Sequence, residues 1–362
     1  MSPALRQSWP PFVLIAGLLL IGLLANRDGL FAWAGARLQA LPGGDLALLG
    51  AALLLDAVVT AVLNLDTAVV FLTPVLVIAA RRRRVAVEPF LYGCVFMANA
   101  SSLFLPGSNL TNLLVQGAHG GGSGASFAAR MFPLAITAAL VTAAGVMALF
   151  RPQLSPRRGG RLVVGPKTIH IDKFSAHRHL VVGTGLLATV AAIVLVLALH
   201  PPAAAALAVL AVGLVATAVE LARSRVEPAA VWRVLGLPSL LAAFVLTVAL
   251  GTLARHWDGP ARLIAGASGP ETAVLAALST AFVNNLPAAA LYSAHAVDHP
   301  RMLLLGLNVG PNLAVTGALS ALLWFRAARE VGARPSPLEF SRRGIPLALA
   351  ALLAAILVGT AT

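Results

Sequence analysis

The sequence predicts an all-α polytopic membrane protein made of inverted repeats, each with a re-entrant helical hairpin and a broken transmembrane helix. Three observations predict it. Of the 362 residues, 59% are hydrophobic and only 11% charged, with a mean hydropathy of +0.89; soluble domains carry about 25% charged residues. Uninterrupted apolar runs approach the roughly 20 residues needed to cross a hydrocarbon core about 30 Å thick. Further apolar runs are interrupted by Asn, Asp, Pro and Gly at matched places, and non-helical backbone at membrane depth survives only where it lines a cavity or lies inside protein.

In chain order, residues 11–25 read as a membrane span rather than a cleaved leader, since only Arg6 precedes the run and RDG follows it. A short amphipathic piece, Gly29 to Leu41, leads to residues 46–80, whose polar middle marks a hairpin that enters and leaves on one side. Residues 88–118 form a long helix broken by Pro106 and Gly107, and 127–150 cross once. A basic stretch, 151–179, precedes crossings at 180–199, 203–222 and 237–253. A second short piece (253–264), a second hairpin (271–297), a second broken helix (301–325) and a last crossing (344–361) repeat the first order. The expected domains are thus a first repeat at 1–150, a cytoplasmic linker at 151–179 and a second repeat at 180–362.

Charge placement supports the hairpins. If 46–80 and 271–297 re-enter and every other segment crosses once, 21 of the 26 Lys and Arg fall on one face. Loops rich in Lys and Arg stay in the cytoplasm. The large basic loops are then cytoplasmic, both termini lie outside, and the two hairpins open to opposite sides. The net charge of +13 therefore reads as topology and contact with lipid headgroups, not as a nucleic-acid surface. A single cysteine, Cys94, excludes an intrachain disulfide framework and a thiolate metal cluster. Neither a GxxxxGK[ST] loop nor HExxH is present, so ATP use would need a separate ATPase subunit and an enzyme is not expected.

The polar breaks hold the candidate binding residues. The first hairpin tip supplies Asn64, Asp66 and Thr67, and the first broken helix supplies Ser108, Asn109, Thr111 and Asn112. The second tip supplies Asn284 and Asn285, and the second broken helix Asn308, Asn312 and Thr316. Inverted repeats whose discontinuous helices meet near the midplane are the architecture of secondary transporters: loose carbonyls hold cations and half-helix N-termini favour anions. No Arg or Lys occurs at any break. Intramembrane carboxylates are functional-site hypotheses by default. Asp66 is the carboxylate at a break, a proton-coupling candidate that also reads as an N-cap for a helix starting at Thr67; Asp56, in the first hairpin arm, is a second candidate. Glu271 reads as a charge at a helix N-terminus. No metal site or cofactor is expected; His119 and the histidines His170, His177 and His179 read as loop residues.

NLDTAVVFLTP (Asn64 to Pro74), PGSNLTN (Pro106 to Asn112), FVNNLPAAAL (Phe282 to Leu291) and GPNLAVTGALSALLW (Gly310 to Trp324) resemble motifs of the arsenite-efflux permeases. These are the arsenical pump membrane protein family of the ion transporter superfamily, which also holds Na⁺/dicarboxylate and citrate carriers. The resemblance covers nearly the whole chain from residue 46. It implies an elevator-type antiporter in a bacterial inner membrane, often a homodimer, exporting arsenite or antimonite in exchange for protons. Asp66 matches the aspartate of the family's Asn-Asp-Gly hairpin motif, although Leu65 and Thr67 flank it here. Asn308 and Asn312 stand where better-studied members have an acidic and a basic residue, which leaves the coupling ion open between H⁺ and Na⁺. Two alternatives remain: a Na⁺-coupled carrier of a small carboxylate or inorganic anion, and a channel-like subunit working with an ATPase.

Overall fold

A computed structural model describes residues 2–118, 122–154, 182–199, 202–257 and 259–361. The basic linker beyond Leu154, with its three histidines, and His119 lie outside the described residues.

Every regular element among these residues is helical. The first unit runs α1 (Pro3–Arg27), α2 (Leu30–Ala40), α3 (Asp45–Val62), α4 (Leu65–Arg82), α5 (Glu88–Ser101), a 3-10 turn at Pro106–Ser108, α6 (Leu110–Ala118) and α7 (Gly124–Leu154). Then come α8 (Thr184–Ala198), α9 (Pro202–Ala222) and α10 (Pro228–Leu235). The second unit repeats the first: α11 (Leu237–His256), α12 (Gly259–Ile264), α13 (Gly269–Val283), α14 (Asn285–Tyr292), α15 (Pro300–Val309), 3-10 turns at Gly310–Asn312 and Val315–Gly317, α16 (Leu319–Glu330) and α17 (Pro337–Ala361). Both helix breaks fall at a Pro-Gly or Gly-Pro pair, where proline withholds a backbone donor and the chain leaves the α ladder.

Among the described residues six stretches are long and apolar enough to cross a membrane: Pro3–Arg27, Asp45–Val62, Gly124–Leu154, Pro202–Ala222, Pro228–His256 and Pro337–Ala361. The segment expected to cross at 180–199 holds the shorter apolar helix α8. Among the described residues α8 has 15 residues, about 22 Å at 1.5 Å per residue. Conversely α3, expected as one arm of a hairpin, has a span's length by itself.

Packing follows the repeat. The first hairpin lays α3 and α4 on α5, and the second lays α13 on α15. Each hairpin's second arm then crosses over: α4 packs on α16, and α14 packs on α6. Two apolar cores result, one centred on α4, α5 and α16, the other on α15, α6 and α13, while α7 and α17 lie against each other.

The remaining helices form a frame around α1. A Cβ on Gly17 would stand 2.8 Å from the backbone of Leu210, and one on Gly213 would stand 2.9 Å from the Gly17 carbonyl. So α1 and α9 touch backbone to backbone, the small-residue contact that van der Waals packing favours in lipid. Asp28 accepts from the amides of Gly185 (2.7 Å) and Leu186 (3.3 Å), satisfying orphan donors at the start of α8. Buried Glu220 of α9 accepts from Arg27, from Thr184 Oγ1 (3.1 Å) and from Arg223 (3.3 Å). This ionic knot joins α1, α8 and α9.

Candidate functional site: two broken helices and two hairpin tips

At the first tip the chain turns at Leu63 and Asn64. Asn64 is extended (φ 170°), and its Oδ1 accepts from the Thr67 amide at 2.6 Å. The N-cap is therefore Asn64, not Asp66. The helix starts at Leu65, two residues earlier than expected, and a cap oxygen must come from the extended residue just before it. Asp66 sits in the first turn, 8% exposed, where an acid complements the helix N-terminus. Thr67 packs against α1: a Cβ on Gly22 would come within 2.6 Å of its methyl.

At the second tip, Asn284 has φ 77°, a left-handed conformation that asparagine tolerates better than most residues. Its Oδ1 accepts from the Leu286 amide (3.2 Å), and its Nδ2 donates to the Thr316 carbonyl (3.0 Å). Thr316 Oγ1 donates to the Ala281 carbonyl at 2.6 Å, so this tip is stitched to the second break. Asn285 is buried beside it. Glu271 closes a capping box with Ser268, as expected of a charge at that helix end.

The two breaks meet in a buried seam. Asn308 Oδ1 accepts from Ser102 Oγ (2.6 Å) and Asn109 Nδ2 (2.7 Å). Its Nδ2 donates to Asn112 Oδ1 (2.9 Å) and to the Leu304 carbonyl (2.8 Å). Asn112 Nδ2 in turn donates to the carbonyls of Ser102 (2.7 Å) and Leu105 (3.0 Å). A second crossing joins Asn99 Nδ2 to Asn312 Oδ1 (2.8 Å), while Asn312 Nδ2 donates to the Phe96 carbonyl (3.1 Å). Asn99, Ser101 and Ser102 escaped the sequence reading because they precede the proline, inside what looks like ordinary apolar helix. The polar run NASS was the available signal.

A primary amide has two donors and one carbonyl with two lone pairs. Asn308 uses all four and Asn112 uses three. The seam is thus occupied by its own protein partners. At the first tip and first break, Asn64 Nδ2, Thr67 Oγ1, Ser101 Oγ and Thr111 Oγ1 are buried without a hydrogen-bond partner. Buried polar groups are ordinarily satisfied, so each such atom calls for an explanation such as a bound ion or water. With the Asp66 carboxylate, the first tip and first break thus hold neutral donors and acceptors and one acid. Among the described residues no three His, Cys, Asp or Glu side chains group as a metal site would require.

The structure therefore bonds Asn109 and Asn112 to Asn308 and Asn284 to Thr316; Ser108 shares the Ser102 and Leu105 carbonyls with Asn112, Asn312 pairs instead with Asn99, and the Thr111 hydroxyl meets none of them. The first tip reaches this assembly through packing of its arms: α3 against the 3-10 turn at Pro106–Ser108, and α4 against α16. A cleft of about 430 Å³ lies elsewhere, lined by Arg6, Gln7, Arg255 and His295 at the far ends of α6 and α14. There Gln7 Nε2 donates to the carbonyls of Leu114 and Ser293, both at 3.0 Å, and Arg255 donates to Gln7 Oε1 at 2.6 Å.

Residues 3–319 match the model of the citrate transporter family, CitMHS. The chain is 25% identical over 369 residues to the arsenical pump membrane protein of Escherichia coli, covering 95% of this chain and 84% of that protein. Its structure resembles the crystal structure of the Alcanivorax borkumensis YdaH transporter, which has an unusual topology. The TM-score is 0.58 at 15% identity, over 99% of this chain and 86% of that one.

Proposed function

The chain belongs to the CitMHS citrate transporter family, within the ion transporter superfamily, and from that premise we propose that it is a proton-coupled exporter of arsenite and antimonite. That it is an integral membrane protein and a secondary transporter of the CitMHS and arsenical-pump type follows from the family and the apolar helices. The substrate and the coupling ion are the proposal.

One observation carries it: at the first tip and first break the unspent hydrogen-bonding atoms are all neutral amide and hydroxyl groups, the one acid there is Asp66, and no arginine or lysine stands at the breaks. Arsenite near neutral pH is an uncharged trihydroxide, which such groups bind without a countercharge. Citrate carries several negative charges, and buried charge is expensive unless it is paired. The similarity to the Escherichia coli arsenical pump protein points the same way. In this reading Asp66 takes up a proton from one side and releases it on the other. The two hairpins and both broken helices move together as an elevator against the α1 frame, within a homodimer, in a bacterial inner membrane with the basic loops cytoplasmic.

The second reading is a Na⁺-coupled carrier of a small carboxylate. The family's own description favours it, and the hydroxyl and amide oxygens would also suit Na⁺. Transport in proteoliposomes decides. With pH and Na⁺ gradients imposed separately, arsenite flux should follow the pH gradient and disappear in Asp66→Asn, with citrate and phosphate inert. Na⁺-driven citrate flux would overturn the proposal.

A further inference from the structure

Asp56 lies in the middle of α3, away from both hairpin tips, and is 0% exposed. Its Oδ1 accepts from the Cys94 thiol of α5 at 3.4 Å, and that sulfur also meets Thr73 Oγ1 of α4 at 3.5 Å. Its Oδ2 has no partner. One turn further along the same helix, Thr60 Oγ1 is equally buried and equally unpartnered. Residues four apart on a helix are surface neighbours, about 5–6 Å between Cβ atoms.

Among the described residues no ion pair to the carboxyl forms, and Cys94 is the titratable side chain that touches it from the helices packed on α3. An unpaired carboxylate in this setting would forfeit its hydration with nothing in return. A bound cation would need space and several oxygen ligands. A proton needs neither.

We infer that Asp56, Thr60, Cys94 and Thr73 form a second proton-binding site, on the first hairpin arm and distinct from Asp66. The proton adds to Oδ2; the two orphan atoms do not hydrogen-bond as they stand, and a rotation of the Asp56 and Thr60 side chains, one turn apart, brings the new O–H to Thr60 Oγ1. Oδ1 goes on accepting the Cys94 S–H. One proton thereby satisfies both orphan atoms at once and removes the buried charge; no bond other than O–H forms, and the proton comes from water. The site would load when the arm is accessible and hold its proton while it is packed on α5.

The test is infrared difference spectroscopy of the purified full-length protein in lipid, without substrate, at neutral and mildly alkaline pH. The C=O band of a protonated carboxylic acid should be present in the wild type and vanish in Asp56→Asn, while a separate contribution vanishes in Asp66→Asn. Thr60→Val should shift the Asp56 band by removing its acceptor, and this milder variant serves if Asp56→Asn does not fold. A band untouched by Asp56→Asn, or insensitive to Thr60→Val, would overturn the assignment. Only the transport readout rests on the reading as a proton-coupled exporter. There, Asp56→Asn should lower the number of protons moved per substrate by one, and an unchanged ratio would show that the site binds a proton that does not travel.

Discussion

Replacing Asn308 by alanine tests the seam directly. The side chain makes four hydrogen bonds, but its partners do not suffer equally. Ser102 Oγ keeps its bond to the Asn99 carbonyl (2.7 Å), and Asn109 Nδ2 keeps a long contact with Ser102 Oγ (3.4 Å). The Leu304 carbonyl lies in α15 and keeps its helical partner. Asn112 Oδ1 is left with none. An unsatisfied buried acceptor costs about 1–3 kcal/mol, and interhelical hydrogen bonds in membranes average about 0.6 kcal/mol each. One orphan and three lost bonds therefore amount to about 3–5 kcal/mol. The assay is reversible unfolding in mixed micelles for Asn308→Ala, Asn112→Ala and the double variant. The singles should be costly and the double clearly less than their sum, because removing Asn112 abolishes the orphan. Single-variant costs below about 0.5 kcal/mol, the level of an inconsequential surface change, or strict additivity, would refute the seam as a stabilising unit.

Three further outcomes are expected. A Cβ on Gly344 of α17 would overlap the Asn312 carbonyl and touch the Phe96 ring, so Gly344→Leu should overpack the second break by about 1–3 kcal/mol and abolish flux while the protein still inserts. Glu220→Gln weakens the knot with Arg27 and Arg223; a loss near 2 kcal/mol is expected for hydrogen bonds to charged groups, read as a lower Tm in detergent and partly recovered by adding Arg27→Leu. Cys94 is fully buried and thus lacks the exposed thiolate that reacts; it should resist membrane-permeant maleimide in the folded protein and label only on unfolding, and rapid native labelling would contradict its place between α3, α4 and α5.

Much of this arrangement was legible in the sequence because polar residues are conspicuous in hydrocarbon. Asn64, Pro106 to Asn112, Asn284 and Asn308 to Thr316 marked both tips and both breaks, and the helices bend where those residues stand. What the sequence could not convey was partnership. Asn308 and Thr111 look alike as isolated polar residues, yet one side chain has all its hydrogen bonds filled and the other's hydroxyl has none, a difference made by residues some 200 positions apart. The cap at the first tip was misplaced because Asn64 and Asp66 are both good caps, and only the backbone turn at Leu63 decides between them. Asp28 and Glu220 were missed for a related reason. Near the ends of spans a charge is unremarkable, and their role appears only when α8 and α9 are seen against α1.

The seam also bears on how the protein is made. The partners of Asn308 lie 196, 199 and 206 residues before it. At roughly 5–20 residues per second, synthesis leaves Ser102, Asn109 and Asn112 in the bilayer for about 10–40 s before their acceptor and donor emerge. Through that interval the first half of the chain must shelter its amides on provisional partners, whether translocation machinery, lipid headgroups or a chaperone. The joint between the halves is then among the last contacts of biogenesis to close, and a defect at Asn308 should surface first as a nascent chain handed to quality control.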